Sequence, residues 1–380
     1  MSIPSANPLS EAAAGRRVVL GHDWLTGMRG GEKVLQHFAA AFPDAPIATL
    51  LANPDAIDDD LRSHPLACSF LQRIPGITRH YRSFLPLMPS AARRLRIPPA
   101  DLLLTTSHCV AKSFRAPPGA RHLCYCFTPM RYAWLFQEEY LGRGLRRLLA
   151  YPLLARLRRW DRRTSDGVDR FVAISRAVAR RIENFYGREC DMVHPPVDTR
   201  FYTPHPDPAA TGSGGFDLVV SALVPYKRVD LAVRAYSAAK WPLKVVGAGT
   251  GLDRLRAMAG PTVEFLGWRS NDEIRDLYRA CRLLVFPGEE DFGIVPLEAM
   301  ACGRPVVAYG RGGALETVSD GVSGLFFLDS SEDSLLDAVS RAAASTWEPA
   351  AIRAHAETFG PERFLSEIAA IVRRTLEPSP

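Results

Sequence analysis

The sequence lacks several features that would settle its class at once. No apolar run approaches the roughly 20 residues that a membrane-spanning helix needs. Cysteine numbers seven, an odd count without framework spacing, which speaks against a disulfide scaffold and for a reducing compartment. Cys124 and Cys126 lie two apart in an apolar run. That spacing suits one face of a buried strand and is tighter than a usual metal-binding pair, so this pair is not expected to hold a metal. The first fifteen residues, MSIPSANPLSEAAAG, hold neither a basic leader nor an apolar block. They read as a loose tail, and the chain is expected to be cytoplasmic.

Acidic charge is in short supply too. Lys and Arg total 47 against 41 Asp and Glu, a net charge of +6, and the excess is local. From Arg143 to Arg163 there are eight arginines and one acid, Asp161. Leu145, Leu148 and Leu149, then Leu153, Leu154, Leu157 and Trp160, fall at helical spacing, so the stretch is a basic amphipathic one, broken near Pro152. Such a stretch either packs on its own domain or docks on an anionic membrane surface, which would place the protein peripherally at the inner face of the membrane. Nucleic acid is not expected as a partner, because the rest of the chain carries no matching motif or basic stripe.

What the chain does have is length and alternation. Its 380 residues exceed what one core usually serves. Apolar runs at 17–21, 47–51, 101–107, 122–127 and 170–174 alternate with helical patterns at 31–41, 131–141 and 175–186. The stretch His194–Gly215 is rich in Pro, Gly and Ser, and the alternation then restarts at 218–223, 243–246, 263–266, 283–286, 305–308 and 324–327. Near-continuous apolar strands between helices mean parallel sheets covered on both faces. The expected layout is a tail at 1–15, a Rossmann-like domain at 16–194, a linker at 195–215, a second such domain at 216–358, and a helix at 359–380 packing back on the first domain. The fold class is α/β, two doubly wound parallel-sheet domains facing a cleft.

One segment carries most of the chemistry. In GEEDFGIVPLEAMACGRPVVA (Gly288–Ala308), seven residues separate Glu290 from Glu298. A buried strand ends at Phe286, a turn follows, and Pro296 suits the first turn of a helix. Gly293 permits close backbone approach, and the N–H groups of Ile294, Val295 and Leu297 would be free to hold a phosphate. The two glutamates would flank that anion and accept hydrogen bonds from hydroxyls, as a nucleotide sugar offers on both sides of its diphosphate. The plainer alternative is a helix N-terminus whose acids merely complement its dipole.

Glu290, Phe292-Gly293 and Glu298, with EAMACGRPVVA following, resemble the paired-glutamate motif of family 4 retaining glycosyltransferases. VPYKRVDLAV (Val224–Val233) resembles the phosphate-binding segment of that family, and HDWLTGMRGGEKVL (His22–Leu35) its N-terminal glycine loop. CYCFTPMRYAW (Cys124–Trp134) is similar to a signature of bacterial O-antigen and polysaccharide mannosyltransferases. The resemblance covers the chain after the tail and implies a GT-B fold without cofactor or obligatory metal. It implies that Glu298 binds the ribose, that Glu290 holds the transferred sugar, and that Lys227 and Arg228 neutralise the leaving diphosphate. Gly30 and Gly31 would close over the phosphates, Phe265, Gly267 and Trp268 would receive the base, and Phe292, Gly293, Ile294 and Val295 would line the donor. His108, Arg131 and Tyr132 are candidates for acceptor or sugar contacts. The implied reaction transfers mannose from GDP-mannose to a lipid-linked glycan.

Two positions depart from the family pattern. Ala222 stands where the phosphate motif usually has arginine, and Phe127 where many members have histidine. Losing one cationic donor to a developing phosphate costs about 2–4 kcal/mol unless it is replaced, for which Arg228 or Arg131 are candidates. Those departures keep two other readings open: a non-catalytic nucleotide-sugar-binding partner of an assembly complex, and a phosphorylase of related fold. Two motifs are set aside. VVGAGTG (Val245–Gly251) lacks the third glycine of a dinucleotide fingerprint, since residue 252 is Leu252. Asp58–Asp60 reads as the acidic start of a helix.

Overall fold

A computed structural model describes residues 7–134, 145–207 and 212–377. The chain divides into two compact units, Met1–Pro195 with Glu362–Pro380, and Pro196–Pro361.

The first unit holds a parallel sheet of β1 (Val18–His22), β2 (Ile47–Thr49), β3 (Leu66–Cys68), β4 (Leu102–Ser107), β5 (Arg121–Cys126), β6 (Arg170–Ala173) and β7 (Cys190–Met192). Its order is β3-β2-β1-β4-β5-β6-β7, with Leu20 opposite both Ile47 and Leu104. Leu102, Leu103 and Leu104 are all fully buried, as a strand covered on both faces requires. The second unit holds β8 (Asp217–Val220), β9 (Leu243–Val246), β10 (Val263–Gly267), β11 (Leu284–Phe286), β12 (Val306–Tyr309) and β13 (Gly324–Phe327). Its order is β10-β9-β8-β11-β12-β13, also parallel. Both sheets are therefore doubly wound.

Helix boundaries follow local chemistry. Ser175 caps Arg176–Tyr186 by accepting from the Val178 N–H at 3.2 Å, and left-handed Gly187 ends that helix. Ser270 and Glu273 form a reciprocal cap on Asn271–Ala280. The helix Pro361–Leu376 belongs to the first unit from Glu362 onward, where buried Phe364 packs against Phe38 and Tyr125 with ring centroids at 5.5 and 5.6 Å.

Three expectations need correction. The N-terminal stretch is not loose from residue 7: Asn7 caps a short helix, Pro8–Ala12, that buries Leu9 completely. The linker-like stretch is packed in its described part. Arg353 donates to the carbonyls of Thr199 and Tyr202, Arg279 donates to Thr203, and Tyr202 is buried. The arginine-rich stretch does not break at Pro152, because one helix runs from Leu145 to Thr164. Proline removes a single bond from a 20-residue ladder, a cost of about 3 kcal/mol that the packing of Leu154 and Leu157 outweighs. The helical pattern expected at 131–141 is seen as Arg131–Trp134; residues 135–141 lie outside the described residues, as does Arg143.

Candidate functional site

In open parallel sheets, ligands gather beyond the carboxyl ends of the strands at the point where the winding reverses. In the second sheet that point lies between β8 and β11. The turn after β8 carries Lys227 and the turn after β11 carries Glu290, and their side chains form an ion pair. The turns approach because residue 288 is glycine; a Cβ there would lie 2.7 Å from the Lys227 carbonyl oxygen.

Beyond Glu290 the chain passes through Gly293, whose φ of 100° favours glycine, and enters the helix Ile294–Ala301. The N–H groups of Ile294 and Val295 have no partner within that helix. Leu297 differs from expectation. With Gly293 as the cap it is the fourth helical residue, so its N–H closes the first intrahelical bond. Phe292 is buried against Phe359, with ring centroids at 6.2 Å, while Ile294 and Val295 are half-buried.

Glu298 sits one turn further in and is buried. The Tyr278 hydroxyl donates to its Oε2 at 3.0 Å, and the Tyr202 hydroxyl bonds the same carboxylate. Burial first, then the Glu298 charge, pushes both phenols up, so both remain neutral donors. Neither tyrosine is legible from the sequence as part of the site, because no periodicity links either of them to Glu298.

Arg228 follows Lys227 with a left-handed φ of 51°, a conformation a non-glycine residue keeps only when its surroundings hold it. Its guanidinium donates to Ser330 Oγ at 2.6 Å and lies 3.4 Å from Asp230. Phe265 and Gly267 lie on edge strand β10, half-buried, and Trp268 just beyond it is 75% exposed. The Gly267 carbonyl already accepts from the Gly247 N–H at 2.8 Å. The VVGAGTG loop is tied to the β8 turn, with Leu223 N–H on the Ala248 carbonyl and Gly251 N–H on the Leu223 carbonyl.

The first sheet reverses between β1 and β4. Asp23 follows β1, fully buried, and accepts four backbone N–H groups, from His108 and Cys109 on Oδ2 and from Val110 and Ala111 on Oδ1. His108 Nδ1 lies 3.0 Å from Oδ2. Burial pushes the Asp23 carboxyl up, but His108 beside it and the backbone donors bring it well below the usual carboxylate range.

His22 is also fully buried, its Nδ1 at 2.7 Å from Thr106 Oγ1. Its Nε2 makes no hydrogen bond among the described residues and lies 3.9 Å from Glu32. Burial lowers its pKa. Gly30 and Gly31 open the helix Gly30–Ala41, and a side chain at Gly31 would touch the rings of Phe127 and His22 at 3.3 and 3.4 Å.

The sequence pointed to His108, Gly30 and Gly31 but passed over Asp23, His22 and Glu32. A charged residue directly after an apolar strand is the signal that could have found Asp23.

The CYCFTPMRYAW segment turns largely inward. Met130 and Ala133 are fully buried, and Trp134 donates to Asp161 Oδ2 at 2.7 Å, a carboxylate also bonded by Tyr186 and paired with buried Lys112. Arg131, Tyr132 and Trp134 are half-buried, and Tyr132 and Trp134 pack against the core of the first unit.

Residues 28–201 match the family model Glycosyltransferase Family 4, and residues 212–358 match Glycosyl transferases group 1. The D-inositol 3-phosphate glycosyltransferase of Mycobacterium sp. (strain JLS) is 34% identical over 187 residues, 43% of this chain and 42% of that protein. The protein of the same name from Mycobacterium avium (strain 104) is 32% identical over 244 residues, 57% of each. The chain thus spans about half the length of the curated relatives it matches. Anabaena Alr3699/HepE, solved in complex with UDP and glucose, superposes with a TM-score of 0.66 at 17% identity, covering 93% of this chain and 99% of that one. The lipopolysaccharide outer core galactosyltransferase WaaB gives 0.62 at 16% identity, covering 93% and 99%. At such identities these are likenesses of fold. With two doubly wound parallel sheets and a family model on each, the chain consists of a glycosyltransferase family 4 domain followed by a glycosyltransferase group 1 domain, on the GT-B fold.

Proposed function

We propose that this chain is a retaining glycosyltransferase that moves mannose from GDP-mannose onto a lipid-linked oligosaccharide during cell-surface polysaccharide assembly, working peripherally at the inner face of the membrane. The observation that carries the reading is the Lys227–Glu290 ion pair at the winding reversal of the second sheet, beside a helix N-terminus and buried Glu298. A diphosphate would rest on the Ile294 and Val295 N–H groups. Lys227 and Arg228 would take the charge that grows on it as the bond to the sugar breaks. Glu298, fixed by two tyrosines, would accept from the ribose, and Glu290 from the sugar. No step calls on a metal.

The donor class is supported by the solved neighbour that holds UDP and glucose, and transfer itself by relatives that are glycosyltransferases by name. The choice of guanine and mannose rests on the TPMRYAW signature alone, whose Trp134 serves the interior. The test is release of nucleoside diphosphate from GDP-mannose and UDP-glucose in the presence of lipid-linked acceptors, with the product anomer read by NMR. A nucleotide-induced rise in Tm without release would favour the binding-partner reading, and sugar-1-phosphate formation the phosphorylase.

A further inference from the structure

Across the winding reversal of the first sheet, Asp23 and His108 mirror the placement of Lys227 and Glu290 in the second. We infer that Asp23 and His108 form a dyad in which Asp23 keeps a proton on His108 Nδ1, so that Nε2 presents a lone pair to the hydroxyl of the acceptor. This inference rests on the transferase reading above and deepens it.

Geometry fixes each part. Asp23 cannot turn away, because four backbone N–H groups hold its two oxygens. An ionised carboxylate only accepts, so the 3.0 Å contact requires the hydrogen to sit on His108 Nδ1. Whenever the ring carries a single hydrogen, Nε2 is then left as an acceptor. Trp24, itself buried, meets the ring edge-on at 4.7 Å and 90°, which sets its plane. The His108 side chain is 32% exposed, in contrast with Asp23 at 0%, so a ligand can reach it.

The chemistry selects a hydroxyl. A bare imidazole nitrogen accepts from a donor, and Asp23 beside the ring disfavours a phosphate; His22 lies 6.1 Å away, ring to ring, and is buried. The proposed donor already finds partners for its diphosphate, ribose and sugar on the second unit. The acceptor hydroxyl is the reactant still without one. The dyad holds that hydroxyl and does not take its proton. Asp23 acts through His108 and is a positioning residue.

The test uses the full chain and water as the acceptor, read as slow hydrolysis of GDP-mannose and UDP-glucose. His108→Asn retains a donor to Asp23 but has nothing at the Nε2 position, whereas His108→Gln restores a polar group there. His108→Asn is expected to keep Tm and nucleotide affinity within about twofold while hydrolysis falls about tenfold, the worth of one hydrogen bond, with partial recovery in His108→Gln. Imidazole ¹⁵N NMR near pH 8, where an ordinary histidine is neutral, should show His108 with hydrogen on Nδ1 and Nε2 bare. Asp23→Asn should mix the two tautomers; if that chain does not fold, the wild-type spectrum and the His108 variants still decide. Hydrogen on Nε2 in the wild type, or unchanged hydrolysis in His108→Asn, overturns the dyad alone. Wild type that binds GDP or UDP yet leaves both donors intact also overturns it. Wild type that binds neither nucleotide overturns the transferase reading beneath it.

Discussion

Lys227 and Glu290 neutralise each other across the gap between two strand-end turns, so each fixes the position of the other. The pair gives the two glutamates of the motif different surroundings: Glu290 faces a cation, Glu298 two phenols. Different surroundings predict different losses on substitution. If Glu298 holds the ribose, its contact is equal in ground and transition states, and Glu298→Gln should weaken GDP binding. Glu290→Gln should leave GDP affinity nearly unchanged and lower turnover about ten- to a hundredfold. Titration calorimetry with GDP and a turnover assay separate the two, and equal loss of GDP affinity in both variants would refute separate roles.

Tyr278 supplies a hydroxyl to Glu298 at 3.0 Å, alongside that of Tyr202. Tyr278→Phe removes one hydrogen bond to a charged group, worth about 1.5–3 kcal/mol, and lets the carboxylate turn. Nucleotide affinity should fall about tenfold or more with little change in turnover at saturation. A variant that binds as tightly as wild type would show that Tyr202 alone suffices.

Donor preference is checked by thermal shift. A ligand at 100 times its Kd adds about 2.7 kcal/mol of stability. GDP should raise Tm clearly more than UDP at equal concentration. The opposite ranking would remove the guanine assignment and leave the nucleotide-sugar class standing.

If the arginine-rich helix docks on an anionic membrane, not all of its arginines can serve that role. Arg158 donates to the Ala133 carbonyl at 2.7 Å and lies over Trp134, so it serves the fold. Arg156, Arg159 and Arg163 are exposed at helical spacing with exposed Leu153 near them; Arg146 and Arg147 are among residues whose side chains are not described. Binding to anionic vesicles should fall as salt rises, and should weaken further when those three become Gln, with GDP binding intact. Vesicle binding indifferent to salt and to the substitutions would leave the helix as packing alone.

Stability should depend on pH through two buried histidines. His122, its Nε2 at 2.9 Å from Thr105, is pulled by burial from 6.5 down to about 4, and burial lowers His22 as well. The unfolded chain takes up these protons near pH 6.5 and the folded chain does not. Stability is therefore full above about pH 6.5 and declines toward pH 4, by about 3 kcal/mol from His122 alone. Urea unfolding across that range should show the decline, and His122→Gln should flatten it. A flat wild-type profile would mean the rings are protonated in the native state.

Much of this protein is legible in the residues themselves. The near-continuous apolar strands β4 and β11 reveal themselves because each lies covered on both faces, and Gly293 with Pro296 marks a helix start by local sterics alone. Short-range chemistry of that kind is written in neighbouring letters. Edge strands β3 and β7 are not, since three half-exposed residues such as Cys190-Asp191-Met192 have no need of an apolar run. Nor is the setting of the functional groups. Tyr278 reaches Glu298 because the helix Asn271–Ala280 packs beside the helix Ile294–Ala301, and Asp23 reaches His108 because β1 and β4, far apart in sequence, end side by side at a winding reversal. The residue types came from the sequence; which of them share a hydrogen bond was decided by sheet order, because a carboxylate buried from water must find its donors wherever the fold brings them.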